Sequence, residues 1–203
     1  MRSQVRLRFH RNTPRLVLAS SSPRREEMLR ELGISFRKAA GKIEEDWKTG
    51  EDPRAIAIKL AARKVQASPA TMELTVGMDT IVVLGRRILG KPATAAEAMS
   101  MLRSLSGRMH RVITGVAMRY HGRTLRQAEV TRVYFRKITP EEIDWYAKTG
   151  EPFDKAGAYG IQGGARLFVR KIDGCFFNVV GFPIDCFQRL LARFGFSVFD
   201  FMH

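Results

Sequence analysis

Asp79 is the residue of this 203-residue chain that most needs a chemical reason. It stands in Val76-Gly77-Met78-Asp79-Thr80-Ile81-Val82-Val83, an apolar run that reads as a buried strand. A carboxylate there is expensive unless it is paired, hydrogen-bonded or bound to a metal. A structural aspartate at a strand bend is the plain reading, and a functional aspartate is preferred. Gly77, just before it, lets a backbone or a ligand come close. A second group of residues has the chemistry of a phosphate cradle. Leu16-Val17-Leu18-Ala19 runs into Ser20-Ser21-Ser22, and Pro23-Arg24-Arg25 then opens a helix with Ser22 at the N-cap. Two arginines on a helix N-terminus oppose the macrodipole, which makes sense when an anion sits there. Ser-Pro is also a common helix start, and Glu26 and Glu27 soften the charge conflict. The segment is not a P-loop, because the glycines and the Gly-Lys-Ser/Thr end are missing.

Other residues add to this chemistry. Lys64 lies four residues after Leu60 and eight after Ile56, so it extends the apolar stripe of its helix. Such a lysine either snorkels to the surface or reaches into a pocket from the core side. Gly90-Lys91-Pro92 places a lysine between two breakers. Glu44 and Glu45 sit in a polar segment and can reach a divalent cation, with hard oxygen ligands suited to magnesium or manganese. A pair of loop acids is more often simply solvated. The stretch from Gly150 to Gly164 is dense in glycine and charge. It reads as a binding loop around Asp154, Lys155 and Gln162, with Gln162 suited to a base edge.

These residues need a scaffold of mixed strands and helices. Strands are expected over Leu16–Ser20, Ser35–Ala40, Leu74–Leu84, Ile88-Leu89, Met109–Tyr120 and Thr124–Phe135. Helices are expected over Pro23–Leu32, Pro53–Ala67, Thr94–Leu105, from Thr139 to near Gly150, and over Pro183–Phe194. Thr94 with Glu97, and Thr139 with Glu142, have capping-box chemistry. Arg166–Ile172 and Cys175–Val180 read as a hairpin across Asp173-Gly174. The pattern is α/β or α+β around a mixed sheet.

Composition narrows the class. Apolar residues make up 45% and charged residues 27%, as in an ordinary globular protein, and no apolar run is long enough to span a membrane. The length suits one domain, or one domain with a small lobe. Lys and Arg number 35 against 20 Asp and Glu, a net charge of +15 that attracts polyanions. The clearest basic cluster is the head, Arg2, Arg6, Arg8, Arg11 and Arg15, read over residues 1–14 as an added, disordered extension. Cys175 and Cys186 have no metal-type spacing and fit a reduced, cytoplasmic compartment.

The motifs Ala19-Ser20-Ser21-Ser22-Pro23-Arg24-Arg25, Glu44-Glu45, Lys64, Gly77-Met78-Asp79-Thr80, Gly90-Lys91-Pro92, Leu105-Ser106-Gly107, Thr114-Gly115-Val116 and the run from Asp154 to Gly163 occur in this order. Together they closely resemble the Maf family of nucleoside triphosphate pyrophosphatases, over nearly the whole chain from about Arg15. The resemblance implies a single domain over 15–203 with a fold like that of inosine triphosphatases. That fold is an elongated mixed sheet with flanking helices and two lobes around a cleft. It implies cytoplasmic, metal-assisted hydrolysis of a nucleoside triphosphate to the monophosphate and pyrophosphate. Asp79, Lys64, Lys91 and Arg25 then carry catalysis. Ser22, Arg24, Thr80, Asp154, Lys155 and Gln162 bind substrate, and Glu45 with Asp79 holds magnesium or manganese. Arg24, Thr80 and Gln162 side with the subgroup acting on dTTP and UTP rather than the one acting on 7-methyl-GTP. Met78, Ala62-Arg63-Lys64-Val65 and the basic head depart from the family pattern. The partner is the nucleotide. A membrane or nucleic acid is not expected, a homodimer is compatible, and the rival class is a nucleic-acid-binding or cell-division regulatory protein.

Overall fold

β3 (Leu74–Leu84) is buried along almost its whole length and runs through the middle of the sheet, as its unbroken apolar run predicts. The computed structural model describes residues 13–41, 43, 44, 46–48, 50–69 and 72–202. Most of the basic head, residues 1–12, lies outside the described residues, as does Glu45. Among the described residues seven strands form one mixed sheet. Its order is β2 (Phe36–Lys38), β1 (Leu16–Leu18), β3, β5 (Met109–Tyr120), β6 (Arg123–Phe135) and β7 (Val169–Asp173), with β4 (Arg87–Leu89) on β3. β1 pairs in parallel with β2 and β3, and every other pairing is antiparallel. The long β5–β6 hairpin turns at His121-Gly122, both in the left-handed region.

Helices cover both faces. α1 (Pro23–Glu31) and α6 (Ile184–Ala192) pack with β1 and the first half of β3 in one hydrophobic cluster that includes Leu18, Leu29, Met78 and Phe187. α3 (Ala95–Leu105) and α4 (Pro140–Lys148) pack with the far halves of β5 and β6 in a second cluster that includes Leu102, Phe135, Tyr146 and Phe168. These are the two lobes. α4 carries the full Thr139–Glu142 capping box. At α3 the Thr94 hydroxyl accepts from Glu97 N–H as expected, but the Glu97 carboxylate reaches back one residue further, to Ala93 N–H at 2.7 Å.

α2 (Pro53–Gln66) lies unusually close to the sheet. A Cβ on Gly77 would sit 2.7 Å from the Ala61 carbonyl oxygen, and one on Gly115 would run into the Ala57 backbone. Of the two readings of Gly77, a close backbone is the observed one. Gly115 is the register partner of Asp79, so this approach lowers α2 onto the strand that carries the carboxylate.

One expectation fails. Cys175–Val180 is not the second strand of a hairpin: Phe176–Val180 is a short helix, α5. Gly174, at φ 119°, turns the chain over the sheet rather than back along its edge. Asn178 then plugs in, fully buried, its amide donating to the Val112 carbonyl (3.0 Å) and to Thr131 Oγ1 (2.9 Å). Buried side-chain bonds override the strand preference of Val179 and Val180. The first strand of that hairpin also begins later than expected, because Gly164–Phe168 forms a 3-10 turn ahead of β7.

Candidate active site

Between the lobes lies a cavity of about 720 Å³. Ser22, Arg24, Arg25, Lys64, Asp79, Thr80, Lys91, Asp154, Lys155 and Gln162 all line it. The residues that the sequence put forward for the site are therefore gathered in one place, except Glu44 and Glu45, the latter lying outside the described residues. Glu44 is exposed and does not line the cavity; its backbone carbonyl accepts from Arg63 at 3.1 Å.

Asp79 is 5% exposed and forms an ion pair through Oδ1 with the Lys64 ammonium, which also reaches the Met78 carbonyl at 3.4 Å. The close seat of α2 on Gly77 and Gly115 makes this pairing possible. Lys64 therefore points inward from the end of its apolar stripe rather than to the surface. One such partner answers the cost of the buried carboxylate. A carboxylate has about four lone-pair sites, so the lysine leaves acceptor capacity for a water or a cation.

The serine-arginine loop is built differently from a simple capped helix. Ser22 occupies the N-cap position without a side-chain cap bond, and its N–H instead donates to Ser20 Oγ at 3.3 Å. Arg25 is buried. Its Nε donates to the Gly181 carbonyl (2.9 Å), and its two terminal nitrogens donate to Ser20 Oγ (2.8 Å) and Thr80 Oγ1 (3.1 Å). It clamps the end of β1, the middle of β3 and the turn between α5 and α6. Thr80 Oγ1 also shares a 2.9 Å bond with Thr114 Oγ1. Arg24 is partly exposed and pairs across the cavity with Asp154 at 3.0 Å.

The opposite wall is the segment Asp154–Gln162. Lys155 Nζ bonds the Glu151 carbonyl (2.7 Å) and Asp154 (2.5 Å). Partial burial pushes the Asp154 carboxyl up, but the bonds and charges of Lys155 and Arg24 outweigh it, and the group lies below the usual carboxylate range. Lys91 is exposed, and among the described residues no carboxylate pairs with it. Five cations thus face a cavity with two carboxylates, an excess suited to a polyanion.

No group of three or more His, Cys, Asp or Glu residues gathers among the described residues. The donor chemistry nevertheless fits a hard cation. Magnesium is commonly held by one or two carboxylates plus substrate phosphates and water, and Asp79 supplies such a carboxylate at the cavity wall. No helix among the described residues is long and apolar enough to cross a membrane.

Ser20, Thr114, Gly181, His110 and Tyr159 belong to this site or its support; the sequence reading includes Ser20, Thr114 and Tyr159 only as parts of motifs, without a role of their own, and does not single out Gly181 or His110. The signal that marks Asp79, a buried polar group in an apolar strand, also marks Thr114 and His110.

Known proteins resemble this chain over most of its length. The model of the family described as Maf-like protein matches residues 15–194. The chain is 45% identical over 186 residues to a dTTP/UTP pyrophosphatase of Symbiobacterium thermophilum, covering 91% of this chain and 96% of that protein. It is 46% identical over 189 residues to a protein of the same name from Anaeromyxobacter dehalogenans, covering 91% and 96%. To one from Salmonella typhimurium it is 47% identical over 183 residues, covering 89% and 93%. With a family model spanning most of the chain and relatives matched nearly end to end, the chain belongs to the Maf family.

Proposed function

We propose that this Maf protein is a nucleoside triphosphate pyrophosphatase that hydrolyses dTTP and UTP to the monophosphate and pyrophosphate. The observation that carries the reading is the cavity itself, which Arg24, Arg25, Lys64, Lys91 and Lys155 line together with the buried carboxylate of Asp79. The names of the relatives supply the substrates.

A nucleoside triphosphate carries about four negative charges, which repel an incoming nucleophile. The arginines and lysines neutralise them and stabilise the charge that grows on the leaving pyrophosphate. Asp79 orients a water and takes its proton while the water oxygen bonds the α-phosphorus. The bond from the α-phosphorus to its bridging oxygen breaks, and the electron pair leaves with pyrophosphate. Lys64 holds the carboxylate in place. A divalent cation, held by Asp79 with Glu45 and the phosphates, would add further charge neutralisation across the phosphate oxygens. Arg24 and Gln162 offer donors to the carbonyl oxygens of a pyrimidine. Thr80 accepts from Arg25 through Oγ1 and so holds the guanidinium in place at the cavity wall. A cytoplasmic location is supported by two unpaired cysteines, with burial pushing the Cys186 thiol up to about 12.

The test is kcat/KM across dTTP, UTP, 7-methyl-GTP and the common purine triphosphates, with Thr80→Gln as companion. dTTP and UTP should stand well above the others, because unmatched donors in the site penalise a wrong base. The longer glutamine side chain should lower both by disturbing Arg25. If 7-methyl-GTP is the best wild-type substrate, the subgroup is wrong.

A further inference from the structure

His110 lies beneath the cavity rather than in it. It is 1% exposed and is not among the residues lining the cavity. Its Nε2 shares a 2.7 Å bond with the Tyr159 hydroxyl, and its ring stands edge-on to Phe135 and Tyr159, with centroids 4.8 and 5.3 Å away. Tyr159 does line the cavity, so the imidazole meets the site through one phenol.

That phenol belongs to the wall that carries Asp154, Lys155 and Gln162. The wall passes through two left-handed residues in succession, Gly157 (φ 71°) and Ala158 (φ 61°). Glycine adopts this conformation freely, whereas a residue with a Cβ adopts it only where its surroundings hold it. Ala158 is fully buried, and anchors surround it. Gly157 N–H donates to the Gly90 carbonyl at 2.9 Å, next to Lys91. Gly160 N–H donates to Tyr146 Oη at 3.1 Å. Tyr159, the residue directly after the strained alanine, is fixed by His110. Burial keeps both phenols above their ordinary range, so they remain neutral hydroxyls that need partners.

We propose that His110 is a positioning residue: by holding Tyr159 it locks Ala158 in its strained conformation and so sets Asp154, Lys155 and Gln162, and through Gly90 also Lys91, for the nucleotide. The proposal rests on the pyrophosphatase reading for its substrate. The anchoring itself is measurable without catalysis.

The experiment compares wild type, His110→Phe, His110→Gln, Tyr159→Phe and the double variant His110→Phe/Tyr159→Phe. Phenylalanine keeps the edge-on ring packing and removes the polar contact, whereas glutamine places an amide near the position of Nε2. The KM for dTTP should rise at least tenfold in His110→Phe, with kcat within about threefold. His110→Gln should recover most of that loss. Tyr159→Phe should match His110→Phe, and the double variant should be no worse than either single one, since one bond is shared. Hydrogen exchange at the 157–160 amides should speed up at least tenfold in His110→Phe, while β3 amides stay protected.

Unchanged exchange overturns the proposal, as does faster exchange with unchanged KM, or two single effects that multiply in the double variant. If His110→Phe does not fold, Tyr159→Phe decides by the same two readouts. If wild type does not hydrolyse dTTP, the pyrophosphatase reading fails on its own, and the exchange data still decide the anchoring.

Discussion

Arg25 fixes one wall of the cavity with charge-assisted bonds to Ser20, Thr80 and Gly181, drawn from three separate parts of the chain. The facing wall, Asp154–Gln162, has charged bonds from Lys155 and Arg24 at its Asp154 end, but its Gly157–Gly160 stretch is fixed by neutral contacts: a phenol on an imidazole, a phenol on an amide, and one backbone bond to Gly90. The first wall places its clamp at the ligand-facing surface, so the group proposed to meet phosphate also holds the fold. The second keeps its anchors in the core of the other lobe and sends only Asp154, Lys155 and Gln162 to the surface. Damage to the first wall should therefore lower stability and activity together, whereas damage to the second should separate them.

The largest effect is expected at the carboxylate that both walls serve. Asp79→Asn is nearly isosteric but cannot act as a base, so kcat should fall at least ~100-fold with the fold intact, the usual low end for loss of a general base. Pyrophosphate release and a thermal melt check this together. A well-folded variant with substantial turnover would remove Asp79 from its role.

Arg25→Met should combine a severe loss of activity with roughly 3 kcal/mol of destabilisation, because three oxygens lose a charged donor. Arg24→Ala provides the contrast. Its pair with Asp154 is 27% and 59% exposed at the two side chains, so its removal should cost at most about 0.5 kcal/mol while raising KM. Urea titrations of the two variants side by side would break the comparison if their stabilities fell equally.

Acid offers a milder probe of the second wall. Burial pulls the His110 imidazole down to about 4, against the opposing pull of the Arg108 carbonyl. The unfolded chain, with an ordinary value near ~6.5, binds the proton first. Stability from the neutral imidazole is therefore full above ~6.5, falls as pH drops, and is gone once pH is below about 4, an amplitude of roughly 3 kcal/mol. Carboxylates with lowered values, such as Glu142 at about 2 beside Arg136, lose their contribution lower down, below ~4.3. Between these limits, among the described residues, the shifted group that sets the slope is His110, and His110→Phe should flatten it. The smallest effect is expected from removing residues 1–13, which precede the matched family segment: melting temperature and kcat/KM should stay near wild type, and any salt-sensitive binding to DNA should fall.

Much of this was readable from residue types. An isolated carboxylate in an apolar strand, and arginines on a helix start, are local conflicts that only a partner resolves, and both led to the cavity. Lys64 was ambiguous because a helical stripe says which side a residue faces but not how near the sheet lies; Gly77 and Gly115 set that distance from another element. Phe176–Val180 was misread because its helical state comes from the buried amide bonds of Asn178, made to strands more than forty residues away in sequence. His110 was passed over because a lone histidine in a strand shows nothing until the phenol opposite it is known.

The reach of Arg25 has a consequence for how the molecule comes into being. Its bond to Gly181 spans 156 positions, so a cradle that occupies six consecutive residues is closed by a turn far along the chain. Contacts of such separation form late, after the local hairpins and helices, since chain closure must precede any gain from them. On the ribosome the serine-arginine loop emerges well before Gly181 and waits for that separation of 156 positions to be made before its guanidinium is seated. Recovered activity in a refolding experiment would accordingly report completion of the whole tertiary structure, and it should lag behind the return of helical signal.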